Sequence, residues 1–128
     1  MALPAPDHLA IEQIYARYSH AVDRGDGDEW AACFTADGVF TSFDHPCEGR
    51  AAIVALAEGT RHHPPGRHLV SNLVLEPGDF SARGSAYLAW LHITKSPVTV
   101  PTTGFYDDEV VPTSGGWLFR RRTFVSDL

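Results

Sequence analysis

The sequence predicts an α+β domain: three N-terminal helices packed on a strongly curved, mostly antiparallel sheet. Two observations carry this expectation. Apolar residues recur at three- and four-residue steps in the first half of the chain and at two-residue steps in the second. Turn chemistry at Pro77-Gly-Asp79 and Thr113-Ser-Gly-Gly116 separates consecutive strand-like runs, which implies a meander and not a βαβ array.

The elements follow in order. Ile11, Ile14, Tyr15, Tyr18 and Val22 mark one face of a first helix, with Asp7 as its expected N-cap and Gly25 as its stop. After the polar break Arg24–Asp28, the segment Glu29–Phe34 reads as a short second helix, ended by Thr35-Ala-Asp-Gly38. Strong helix formers fill Arg50–Glu58, a third helix closed by Gly59. β-Branched and aromatic runs predict strands over Val39–Phe43, His68–Leu75, Ser81–Lys95, Val98–Val111 and Trp117–Val125. Arg61–Gly66 is the segment expected to form a mobile loop between the third helix and the His68 strand. With no internal repeat and no low-complexity linker, residues 1–128 are expected to form one domain.

Composition narrows the function. The 128 residues are 44% hydrophobic and 11% aromatic, enough for one core. A formal charge of −6 opposes a grip on nucleic acid, and the run Arg120-Arg121-Arg122 is too short to reverse it. No stretch approaches the ~20 apolar residues that cross a bilayer, and the first residues lack signal-peptide regions, so a cytoplasmic, non-membrane protein is expected. In that setting Cys33 and Cys47 are expected to be reduced core fillers and not a disulfide. The loop Asp23–Asp28 fails the calcium-ligand spacing, and His45, Cys47, His62 and His63 do not form a zinc pattern. No G-x-S-x-G elbow, phosphate-cradling glycine loop or dinucleotide fingerprint occurs.

One arrangement spans nearly the whole chain: Tyr18, Asp23, Gly25-Asp26, Trp30, Phe34, Asp37-Gly38, Phe40, then Gly49-Arg50-Ala-Ala-Ile53, His68-x-x-Ser-Asn72, Tyr106-Asp-Asp-Glu109 and Gly116-Trp117. It resembles the SnoaL-like family of the nuclear-transport-factor-2-like superfamily, which implies a cone-shaped α+β barrel. Relatives there include scytalone dehydratase, lindane dehydrochlorinase, bile-acid dehydratases and ketosteroid isomerase, and also noncatalytic dioxygenase small subunits. The resemblance implies a cofactor-independent lyase or isomerase acting on a small apolar cyclic or polyketide-like molecule. It places the dyad aspartate at Asp23 and the dyad histidine at His68. The other class it leaves open is a noncatalytic ligand-binding or assembly module, because the fold hosts many functions.

The residues themselves support chemistry at these positions, each against a plainer role. Asp23 follows Val22 at the end of the first helix, near its apolar face, where a partly desolvated carboxylate suits acid/base work; an aspartate there also commonly caps or turns the chain. A carboxylate that holds an imidazole fixes its tautomer, so His68 can take a proton from carbon and return it to a leaving oxygen. That chemistry calls for neither metal nor cofactor. By alternation His68, Val70, Asn72 and Val74 share a face, which would set Asn72 beside substrate or in a cross-strand hydrogen bond. The resemblance makes Tyr18 a pocket donor to a carbonyl oxygen; otherwise it is a core tyrosine. Trp90 and His92 alternate onto one face of their strand, either lining the cavity or simply packing. The resemblance also gives Arg122 the role of a cavity arginine for developing negative charge, with the register among Arg120, Arg121 and Arg122 left open. Finally, apolar side chains on both faces of strands such as Tyr87–Ile93 outnumber what three short helices can cover, so a homodimer or higher homo-oligomer through the open sheet face is expected.

Overall fold

The computed structural model describes residues 2–62, 65–93 and 96–128. Two helices, α1 (Ala5–Asp23) and α2 (Gly27–Ala31), open the chain, and a third, α3 (Arg50–Gly59), follows the first two strands and runs into a 3-10 turn at Thr60–His62. The strands are β1 (Phe34–Ser42), β2 (His45–Glu48), β3 (Gly66–Pro77), β4 (Ala82–His92), β5 (Thr99–Thr113) and β6 (Gly116–Ser126). They form one six-stranded sheet in the order β2-β1-β6-β5-β4-β3. The pairing is antiparallel throughout except between β1 and β6. Three helices on a mostly antiparallel sheet is the architecture the sequence predicts. No helix among the described residues is long and apolar enough to cross a membrane.

Helix α1 buries Ile11, Ile14, Tyr15, Tyr18 and Val22, the face its periodicity marks. Its start differs from expectation: the N-cap is Pro4, which uses no side chain, and Asp7 in the first turn instead accepts a hydrogen bond from Trp117 Nε1 at 3.0 Å. That bond ties the helix start to β6. Gly25, at φ +66°, does end the helix.

Helix α2 begins earlier than predicted, because Asp26 caps it by accepting from the Glu29 amide at 3.1 Å. It also ends earlier. Phe34 pairs with Phe119 of β6, so Phe34–Gly38, expected to be helix end and turn, lies in β1. Strand β2 was not anticipated. Its hairpin turns on Phe43 and Asp44, both at positive φ, where glycine or asparagine normally signals the turn, and Pro46 masks the strand pattern.

Strand β3 carries a bulge between Ser71 and Val74, centred on Asn72 at φ +57°. One inserted residue reverses the alternation. His68 and Val70 lie on the inner face before it, Leu73 and Leu75 after it, and Val74 faces outward, 57% exposed. The core joins α1 and α3 to the inner sheet face through Ile11, Ile53, Ala82, Val110 and Phe119, each fully buried. Cys33 and Cys47 are both free. Part of the expected loop, His63-Pro64, and the predicted strand end, Thr94-Lys95, lie outside the described residues.

Candidate active site

A cavity of about 540 Å³ opens between the C-terminal end of α1, the start of β3 and the inner sheet face. Its walls are mainly apolar and aromatic, including Val22, Trp30, Phe40, Leu88, Trp90 and Phe124, with Tyr18, Asp23 and His68 as polar groups among them.

Asp23 is the last residue of α1, and His68 is the third of β3, paired with Trp90 of β4. The helix end therefore delivers a carboxylate to the strand that carries the imidazole. His68 Nδ1 stands 2.5 Å from Asp23 Oδ1, and the His68 amide donates to both Asp23 oxygens at 3.1 and 3.2 Å. These three contacts make Asp23 a fixed clamp, gripping both ring and backbone. An ionised carboxylate against Nδ1 selects the tautomer with the proton on Nδ1, leaving the Nε2 lone pair for a ligand. The Asp23 side chain is 9% exposed and that of His68 22%, so the clamp is sheltered and the imidazole is reachable.

Tyr18 lines the same cavity and is 2% exposed. Burial holds its phenol well above the usual value, so it is a neutral hydrogen-bond donor and not a base. Trp90 also lines the cavity, whereas His92 does not; it stacks on Trp90 with ring centroids 5.8 Å apart. Asn72 is absent from this cavity as well. The bulge turns it out to the cleft between α1 and β3, correcting the alternation argument that set it beside His68 on the cavity side.

Arg122 is the inward arginine of the three, fully buried, while Arg120 pairs with Glu109 and Arg121 with Asp107 on the outer face. It nevertheless does not line the cavity. Its guanidinium carbon lies 3.3 Å from the Tyr106 ring centre and 4.2 Å from that of Tyr18, and its Nε is 3.2 Å from Asp108 Oδ1. Tyr18 thus stands between the cation and the cavity space. Asp108 also accepts from the Tyr15 hydroxyl, and burial pushes its carboxyl up to about 6, against the pull of Arg122 and that hydrogen bond. Burial likewise lifts Tyr106 to about 12. Sequence reasoning missed this buried Tyr15–Asp108–Arg122 cluster. Its one visible trace is the alternation of Tyr106 and Asp108 onto the inner face of β5.

The sequence matches the SnoaL-like domain family over residues 4–123. None of the curated proteins compared matches it. A solved protein from Catenulispora acidiphila, in complex with S-DNPA, is 30% identical with a TM-score of 0.86, covering 97% of this chain and 96% of that one. A candidate scytalone dehydratase from Novosphingobium aromaticivorans is 25% identical with a TM-score of 0.84, covering 96% and 85%. A protein of unknown function from Mycobacterium tuberculosis is 28% identical with a TM-score of 0.89, covering 99% and 78%. The family match runs through the helix that carries Asp23, the strand that carries His68 and the sheet as far as residue 123: this chain belongs to the SnoaL-like domain family.

Proposed function

We propose that this protein is a cofactor-independent lyase or isomerase of the dehydratase type, with Asp23 and His68 as its acid/base dyad and a small, largely apolar cyclic or polyketide-like molecule as substrate. The observation that carries the reading is the 2.5 Å contact between His68 Nδ1 and Asp23 Oδ1 at the wall of an aromatic cavity. The likeness to a candidate scytalone dehydratase at 25% identity supports it.

The geometry suggests a two-step sequence. His68 Nε2 removes a proton from the carbon next to a substrate carbonyl, and the electron pair moves onto the carbonyl oxygen as an enolate. Tyr18, a neutral donor lining the same cavity, donates a hydrogen bond to that oxygen in this reading. The imidazolium, stabilised by Asp23, then returns the proton to a hydroxyl on the next carbon, which leaves as water as the enolate collapses. An isomerase would return the proton to a different carbon instead. Apolar walls exclude competing water.

The test is dehydration of cyclic aromatic β-hydroxy ketones, followed by absorbance of the conjugated product. His68→Ala and Asp23→Asn should each reduce turnover by roughly 10²- to 10⁴-fold. Binding of a neutral aromatic probe should persist, because the cavity walls remain. Unchanged turnover in both variants would leave ligand holding, and not proton transfer, as the work of this cavity.

A further inference from the structure

Four arginines have no carboxylate partner among the described residues, Arg17, Arg24, Arg61 and Arg67, and two of them, Arg24 and Arg61, line the cavity. Arg50, Arg83, Arg120, Arg121 and Arg122 each pair with an aspartate or glutamate. Arg24 and Arg61 pair with none among the described residues, which include every carboxylate side chain of the protein, and both line the cavity. Arg67 is similar: its Nη1 donates to the carbonyl of Gly66, a lining residue, at 3.0 Å. In a chain of net charge −6, cations left unpaired at one opening are chemically conspicuous.

Arg61 is also built into place. Its Nε donates to the Gly25 carbonyl at 2.8 Å, and its stem lies so close over Gly25 that an added Cβ there would sit 2.3 Å from Arg61 Cγ. Glycine at this position serves two purposes, allowing φ +66° and giving the arginine room. With Nε committed to the backbone, the guanidinium is held at the rim with its terminal N–H groups uncommitted. Arg24, which precedes Gly25 in the chain and lines the same cavity, is solvent-exposed. The nearest cavity carboxylate, Asp23, is already engaged by His68.

We infer that Arg61 and Arg24 form an anion subsite, and that the molecule held in this cavity carries a carboxylate at the end that faces the mouth. A planar carboxylate suits a guanidinium fork, and the apolar walls below take the ring system. The inference rests on the cavity holding a small organic molecule, and it specifies that molecule as an aromatic or cyclic acid.

The test is isothermal titration calorimetry at low salt with 2-naphthoate and its neutral counterpart 2-naphthamide. The wild type should bind the acid about tenfold or more tightly than the amide, the scale of a charge-assisted hydrogen bond. Arg61→Gln and Arg24→Gln should each shrink that preference, the double variant should erase it, and amide affinity should hold in all three. Arg61→Lys, which keeps the charge and loses the Gly25 bond, should retain most of the preference, distinguishing anion binding from a purely structural latch. Equal affinities in the wild type, or a preference that survives in the double variant, would overturn the inference. So would an absence of binding by both probes, which would also count against an aromatic ligand in this cavity. His68→Ala should keep the acid preference, so loss of turnover without loss of preference, or the reverse, separates this inference from the dyad.

Discussion

Replacing Asp108 by Asn asks whether a fully buried carboxylate helps or hurts this fold. Asn keeps the shape and an acceptor for the Tyr15 hydroxyl while removing the charge. Two effects compete. Arg122 Nε, 3.2 Å away, attracts the ionised carboxylate, and breaking a buried pair commonly costs about 3–5 kcal/mol. Desolvation nevertheless outweighs that attraction and the Tyr15 hydrogen bond: with all three acting, the carboxyl is raised from 3.8 to about 6, a net cost of about 3 kcal/mol for its ionised form in the folded state relative to the unfolded chain. Arg122 does not depend on Asp108 alone, since four aromatic rings lie within 4.8 Å of its guanidinium carbon, and such contacts contribute up to about 2 kcal/mol when desolvated. The balance favours desolvation. Between about pH 4 and pH 6 the folded state binds more protons than the unfolded chain, so stability contributed by this group falls as pH rises through that window and is level above it. Urea unfolding at pH 4.5 and 7.5 measures this directly. Asp108→Asn should lack the fall and should be at least as stable as the wild type at pH 7.5, by about 1–3 kcal/mol. A variant less stable than the wild type by more than about 1 kcal/mol at pH 7.5 would show that the ion pair outweighs the burial cost.

Other consequences are equally open to measurement. Gly25→Ala must put a Cβ into left-handed backbone and against Arg61, so it should cost about 1–3 kcal/mol in urea unfolding and weaken the preference for 2-naphthoate; unchanged values for both would mean that Arg61 is not seated by this glycine. Ile53→Ala, at a fully buried site between α3 and the core, should cost about 2–5 kcal/mol, and a loss under 1 kcal/mol would contradict tight packing there. Tyr87, Phe105 and Val125 lie side by side across β4, β5 and β6 with 60%, 38% and 39% exposure, a row that a second copy of the chain would cover. Sedimentation should therefore give a dimer at micromolar concentration that Tyr87→Lys dissociates, and a monomeric wild type would remove the proposal.

Much of the fold was legible because periodicity reports burial. Ile11, Ile14, Tyr15, Tyr18 and Val22 had to share a helix face, and Ala82 through Leu88 had to alternate on a strand. What escaped were features set by tertiary contact. Phe34 joins a strand because Phe119 pairs with it, and the Phe43-Asp44 turn takes a conformation that its residues do not advertise. The candidate site divides the same way. Asp23 and His68 were readable from position and family likeness, whereas the Asn72 bulge, one inserted residue, moves a side chain to another cleft and leaves no mark in the alternation before it. Arg122 had to be one inward residue among three, but its enclosure by Tyr15, Tyr18, Tyr106 and Phe119 depends on side chains from α1, β5 and β6 meeting in space.

The central claim, that His68 held by Asp23 moves a proton to and from carbon, can be measured without knowing the natural substrate. In deuterium oxide, incorporation of deuterium next to the carbonyl of a small aryl ketone such as 2-tetralone, followed by proton nuclear magnetic resonance, reports general-base catalysis directly. The account predicts that the wild type accelerates this exchange, and that His68→Ala and Asp23→Asn return it to within a few-fold of the buffer rate while the ketone still binds. Exchange by His68→Ala at the wild-type rate would contradict it.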